Sequence, residues 1–75
     1  MDKILEILEE IQPDVNFLTE EHLITGGILD SFDVVTIAAE IDGQLGVRLP
    51  AEELLPENFE SAKALYQLVQ RLARA

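Results

Sequence analysis

Apolar residues recur along the chain in three helical registers separated by long interruptions. Ile4, Leu5, Leu8 and Ile11, with Ile7 beside them, fall at spacings of three and four, which places them on one face of a helix. Asp2 stands at the positive start of the helix dipole and Pro13 ends the run, so the pattern predicts a first helix over residues 2–12. A second register, Val34, Ile37, Ala38, Ile41 and Leu45, is backed by a polar face of Asp33, Thr36, Glu40 and Gln44. It predicts a helix over 31–45 that begins at Asp30 or Ser31 and is weakened near its end by Gly43 and Gly46. The third stripe, Leu65, Leu68, Val69 and Leu72, follows Ser61, whose hydroxyl suits a helix cap, and predicts a helix over 62–73. Arg71 and Arg74 lie at the negative end of its dipole.

The interruptions differ in kind. PDVNFLTEEHLITGGIL, after the first helix, shows neither period clearly, yet Val15, Phe17, Leu18, Leu23, Ile24, Ile28 and Leu29 make it too apolar for a disordered linker. It is expected to pack over the core as an ordered loop. After the second helix, VRLP extends the chain, because the residue before Pro50 is biased away from helix. AEELL then suggests one or two turns before Pro56, and PENF another short turn. The expected fold is all-α: a four-helix bundle with three longer helices, one short one and a long ordered first loop, in a single domain over 1–75. Tyr66 and the phenylalanines read as packing residues. The small Ala38 and Ala39 in the middle of the second helix leave room for a groove between larger neighbours.

Composition narrows the function. With 75 residues, 48% of them hydrophobic, the chain suits one small core and leaves no room for an enclosed catalytic cleft. The absence of Cys removes disulfides and thiolate metal sites. The charged opening MDKILEILEE is neither a signal peptide nor a membrane span, so a cytoplasmic protein, monomeric and not inserted in a membrane, is expected. Formal net charge is −10, and residues 1–60 hold all 15 acids but only Lys3 and Arg48, a net of −13. Such a field repels phosphates and argues against nucleic acid; basic protein surfaces are its natural counterparts.

Most candidate chemistries fail on spacing or inventory. An EF-hand with Gly43 at its sixth position would place Ala38, Glu40, Asp42 and Leu49 at positions one, three, five and twelve, which does not match. His22, the one histidine, would leave a zinc site resting on carboxylates alone, so no metal is expected. Gly26 and Gly27 lack the lysine-bearing motif of a phosphate-binding loop. Nucleophilic catalysis by Ser31 would need a positioned base, an oxyanion site and a water-excluding pocket. The chain therefore reads as no enzyme.

Ser31 stands out for another reason. A hydroxyl in the first turn of a helix points outward at the positive end of the dipole, where an esterified phosphate is electrostatically favoured. The stretch GGILDSFDVV (Gly26 to Val35), followed after one helix by GVRLP and EELLPENFESAKAL, resembles the acyl carrier proteins over essentially the whole chain. That family carries a 4′-phosphopantetheine arm, derived from coenzyme A, on the Ser of a D-S-[LIF] motif. The resemblance implies that Ser31 is the attachment point, that Asp30 and Phe32 form the flanking motif, with Asp33 beyond it, and that Asp33, Thr36, Glu40 and Asp42 face partner enzymes. It also implies modification by a phosphopantetheinyl transferase, and as further partners an acyl- or aminoacyl-loading ligase and downstream synthases or transferases with basic docking surfaces. Asp30 can serve as a plain helix cap at the same time, and Phe32 reads equally as a half-buried packing residue. Thr36, Gly43 and Arg48 depart from the most acidic fatty-acid carriers. The leading expectation is an acyl carrier for fatty-acid-like or polyketide-like synthesis. An aminoacyl carrier of the D-alanyl type, which also favours DSF, is the alternative, and an unmodified helical interaction module stands outside both.

Overall fold

A computed structural model of the chain describes residues 2–74; residues 1 and 75, included in the single-domain reading, lie outside the described residues. Its regular structure consists of α1 (Asp2–Ile11), α2 (Ser31–Leu45) and α3 (Ala62–Ala73), with two single 3-10 turns, Ala51–Glu53 and Pro56–Asn58, between α2 and α3. The three predicted helices therefore stand within a residue of their expected limits. Helix α1 buries Ile4, Ile7 and Leu8 and packs against both α2 and α3. Helix α2 contributes Ile37 and Ile41, and α3 contributes Ala62, Leu65, Leu68 and Val69. Burying one side chain of the Ile or Leu class removes enough apolar surface from water to contribute about 1.5–3 kcal/mol, so these stripes set the packing.

The long first loop is an ordered lid on that core. Phe17, Leu23 and Leu29 are buried at intervals of six residues, a spacing that matches neither helix nor strand. Local turns carry the backbone between these anchors: the N–H groups of Thr19 and Glu20 both donate to the Asn16 carbonyl, at 3.2 and 3.1 Å. Leu18, by contrast, is exposed.

After Pro50 the short turns expected from AEELL and PENF both form, as two single 3-10 turns in place of one short fourth helix. Leu55 stands directly before Pro56 and is held extended (φ −96°, ψ 145°), which cuts the segment into two separate turns. The Asn58 amide donates to the Glu53 carbonyl at 2.8 Å and joins them.

Gly43 does not interrupt α2, which continues to Leu45 and closes at Gly46. Gly46 adopts φ 67° and donates its N–H to the Asp42 carbonyl at 3.1 Å, a left-handed closure that glycine adopts without steric cost. A Cβ added at Gly43 would meet nothing within 4 Å. Gly43→Ala is therefore expected to stabilise the fold by about 0.5–1 kcal/mol, because only the entropy of the unfolded glycine changes. A thermal scan should show the midpoint rising by roughly 2–8 °C; a lower midpoint would show an unrecognised clash.

Candidate functional site

The start of α2 is built by Asp30. Its extended backbone (φ −110°, ψ −177°) leaves the side chain free to accept the Asp33 N–H at 2.9 Å, while the Asp33 carboxylate accepts the Asp30 N–H at 3.4 Å. This reciprocal capping box satisfies two backbone donors that a helix start otherwise leaves open. It also settles which oxygen does the capping: Asp30 is the cap, and Ser31 is the first helical residue, exposed and not needed for the box.

Apolar surface surrounds Ser31. Phe32 is 81% exposed and Val35, one turn on, is 60% exposed, so the expectation of a half-buried packing Phe32 is overturned. The reason is register: α2 turns Val34, Ile37 and Ile41 inward, and Phe32 lies off that stripe. Phe17 and Phe59 are buried and Tyr66 packs against the core, as expected of them. An open depression of about 230 Å³ is lined by Ser31, Phe32 and Val35. A smaller cleft of about 140 Å³ is lined by Ile24, Asp30, Ser31, Val34, Leu54 and Pro56. Ala38 and Ala39 line neither opening. Ala39 faces solvent and Ala38 packs against the core, so neither opens onto the clefts beside Ser31.

The residues read as partner-facing occupy different environments. Asp42 is exposed, and Glu40 is half-buried and accepts the Gln44 amide at 2.6 Å. Thr36 is exposed, but its hydroxyl donates to the Phe32 carbonyl at 3.0 Å. Asp33 is half-buried in the capping box, so a charge reversal there would also disturb the helix start. His22 is an exposed loop residue beside the Thr25 hydroxyl, 3.4 Å away. Among the described residues no group of three His, Cys, Asp or Glu side chains could hold a metal ion, and no helix is long and apolar enough to cross a membrane.

One residue at this end of the molecule has no local sequence signal. Glu60, immediately before the α3 cap, accepts the Ile24 and Thr25 N–H groups on a single carboxylate oxygen, at 2.9 and 3.0 Å. Its carbonyl accepts the Leu23 N–H at 2.9 Å. The Thr25 N–H foremost, with the Ile24 N–H, the Thr25 hydroxyl and the His22 charge behind it, holds the Glu60 carboxyl below its ordinary range, against an opposing effect of burial. The folded chain then binds this proton less readily than the unfolded chain. Its contribution is present above the ordinary carboxylate value and is lost as pH falls through the lowered folded value. Chemical denaturation at a series of pH values should show the stability gap between wild type and Glu60→Ala closing on acidification; a constant gap would mean that the ionised form is not what is bound.

An exposed serine directly after the aspartate that caps the second helix is the arrangement that the resemblance to the carrier proteins implies for Ser31. Relatives bear out that resemblance. The chain is 28% identical over 74 residues to the D-alanyl carrier protein of Streptococcus sanguinis (strain SK36), covering 97% of this chain and 94% of the relative. It is 29% identical over 75 residues to the D-alanyl carrier protein of Streptococcus suis (strain 05ZYH33), covering 99% and 95%. The D-alanyl carrier protein of Streptococcus gordonii is 27% identical over 74 residues. No family model matches the chain, and no solved structure matches it. All three relatives are named for D-alanyl, so the fatty-acid part of the sequence expectation finds no support and the aminoacyl alternative fits better.

Proposed function

We propose that residues 1–75 form a single carrier domain that holds a 4′-phosphopantetheine arm on Ser31 and takes an aminoacyl cargo of the D-alanyl kind. The supporting observation is the exposed Ser31 directly after the Asp30 cap, in a chain matched nearly end to end by D-alanyl carrier proteins. Attachment needs no catalytic group from this chain. A transferase presents coenzyme A, the Ser31 oxygen bonds to the phosphorus that bears pantetheine, and the pyrophosphate P–O bond breaks. Adenosine 3′,5′-bisphosphate leaves, and the serine proton passes to the transferase. The arm, when bound, supplies a terminal thiol that holds its cargo as a thioester. Ser31 fits the group: the hydroxyl is exposed, and the positive end of α2 favours the phosphate beside it. Asp30 holds that helix end in place, and Phe32 with Val35 offers partners an apolar contact next to the arm.

Cargo size follows from the same surface. Pockets that enclose drug-sized ligands measure about 300–1,000 Å³, and the two openings beside Ser31, at about 230 and 140 Å³, each fall short of that range. A small aminoacyl group can ride outside; a long acyl chain would find little shelter. Holo protein offered D-alanine with an aminoacyl-activating ligase and ATP, and separately a medium-length acid with an acyl-activating ligase, separates the two by intact mass. Loading with D-alanine is expected. Loading with the fatty acid alone would overturn the aminoacyl assignment and leave the carrier role standing.

Partner recognition is expected to draw on the acidic field. Exposed pairs are individually weak, about 0.2–1 kcal/mol, but they add in steering and fade once the Debye length shrinks to about 3 Å at 1 M salt. Glu40 and Asp42, unlike Asp33, take no part in the cap, so their joint reversal to Lys tests charge without disturbing the helix start. Arm transfer should slow by roughly tenfold at low salt, with a flatter salt dependence. An unchanged rate and slope would assign recognition to Phe32 and Val35.

A further inference from the structure

We propose that Glu60 is a positioning residue for Ser31: by binding the loop that leads into α2, it holds the serine in the geometry that a modifying transferase accepts. The proposal rests on the reading of Ser31 as the attachment point, and it concerns a residue 29 positions further along the chain.

The connection is continuous through hydrogen bonds. Glu60 stands on a fixed base, since the next residue, Ser61, caps α3 by accepting the Ala64 N–H at 3.0 Å. From there it takes three successive loop amides: Leu23 on its carbonyl, Ile24 and Thr25 on its carboxylate. Leu23 is the relay. Its carbonyl accepts the Leu29 N–H at 2.7 Å, and Leu29 immediately precedes the Asp30 cap. Ile24, fixed by the same carboxylate, forms one wall of the cleft beside Ser31.

The glycine pair shows how tightly this loop is drawn. The Gly26 N–H donates to the His22 carbonyl at 2.7 Å, and a Cβ on Gly26 would collide with that same oxygen. Gly27 turns the chain with φ 75°, its N–H donating to the Ile24 carbonyl at 3.1 Å. Between Leu23 and Leu29, Ile24 and Ile28 pack against the core only in part, and Thr25, Gly26 and Gly27 are exposed, so the middle of the loop depends on these polar bonds as well as on apolar contact. Without Glu60 the ends stay anchored while the intervening backbone gains alternatives. A carrier whose competent loop geometry is populated one time in ten shows about a tenfold weaker apparent affinity for the transferase.

The test is steady-state transfer of the arm from coenzyme A to full-length chain, with the carrier as varied substrate, at a temperature where circular dichroism shows every variant folded. Glu60→Ala should raise KM about tenfold and leave kcat within about twofold, because the transferase can still select the competent geometry. Glu60→Gln keeps an oxygen at the position that accepts both amides and should restore a near wild-type KM. Glu60→Asp, shorter by one methylene, should fall between them and serves if the alanine variant does not fold. Val69→Ala, in the core of α3 away from the loop, controls for lost stability and should leave KM unchanged. Amide exchange should find Ile24 and Thr25 protected in wild type and Glu60→Gln, and rapidly exchanging in Glu60→Ala. A wild type that accepts the arm while Glu60→Ala shows the wild-type KM overturns the positioning role alone. An equal rise in KM from Val69→Ala would do the same. A wild type that accepts no arm overturns the attachment reading, and this proposal with it.

Discussion

Ser31→Ala should yield a chain that folds as the wild type does and accepts no arm at all. Folding survives because the start of α2 is capped by the Asp30 carboxylate on the Asp33 N–H and by Asp33 in return, a box that does not use the Ser31 hydroxyl. Alanine is also a better residue than serine inside a helix. The chemical loss is complete because a methyl group has no oxygen to bond to phosphorus. Asp30→Ala makes the complementary case: the hydroxyl stays, the cap goes, and about 1 kcal/mol of stability is expected to go with it. Arm transfer to that variant should slow without disappearing. Intact mass and thermal unfolding of the two variants together separate capping from attachment. An arm on Ser31→Ala would move the site elsewhere, and Ser61 is a poor candidate because its oxygen is already bound to the Ala64 N–H at 3.0 Å.

Phe59→Ala should be the most damaging single truncation considered for this fold. The ring is 1% exposed and lies where the second 3-10 turn meets α3, with its own N–H donating to the Pro56 carbonyl at 3.0 Å. Removing a buried phenyl typically costs about 3–5 kcal/mol, combining lost transfer energy with the cavity left behind. Whole domains hold only about 5–15 kcal/mol, and a short chain stands towards the lower end. Most of the stability should therefore disappear, with a thermal midpoint lower by roughly 12–40 °C. Phe32→Ala, the same substitution at an 81% exposed site, should stay within about 0.5 kcal/mol of wild type. Urea unfolding of the pair measures the contrast. Similar losses at both positions would mean that Phe32 is covered in solution or that Phe59 is not.

The helices were legible because each carries its own period and its own punctuation. Pro13, the Asp30 cap and Ser61 bound the registers locally, and the structure places their limits within a residue of expectation. The segment after Pro50 was legible as short turns divided at Pro56, and backbone sterics at the Leu55–Pro56 junction keep the two turns from joining into the one short helix of the expected bundle. Gly43 lowers helix propensity, but its neighbours Ile41 and Leu45 are held by the core, and the helix runs to Leu45 as its register predicts.

The site was legible only in part. A serine between aspartates at a helix start is visible in sequence, and so is its likeness to carrier proteins. The exposure of Phe32 depends on the exact rotation of α2 against α1, which the spacing of Val34, Ile37 and Ile41 implied but the aromatic character of Phe32 masked. Glu60 could not be found by spacing at all. Its carboxylate reaches amides 35 and 36 residues away, and an acidic residue next to a helix cap looks like any other solvated charge. The cleft beside Ser31 was equally hidden, because it arises from the meeting of the loop, α2 and the second turn rather than from any one stretch of residues.

The central assignment is tested most directly by the intact mass of the wild-type chain after incubation with coenzyme A and a phosphopantetheinyl transferase, followed by fragmentation to locate any added group. The expected result is one phosphopantetheine per chain, on the Ser31 oxygen, with Ser61 unmodified. No mass gain under conditions that fully convert a known carrier, or a gain located on any other residue, would contradict it.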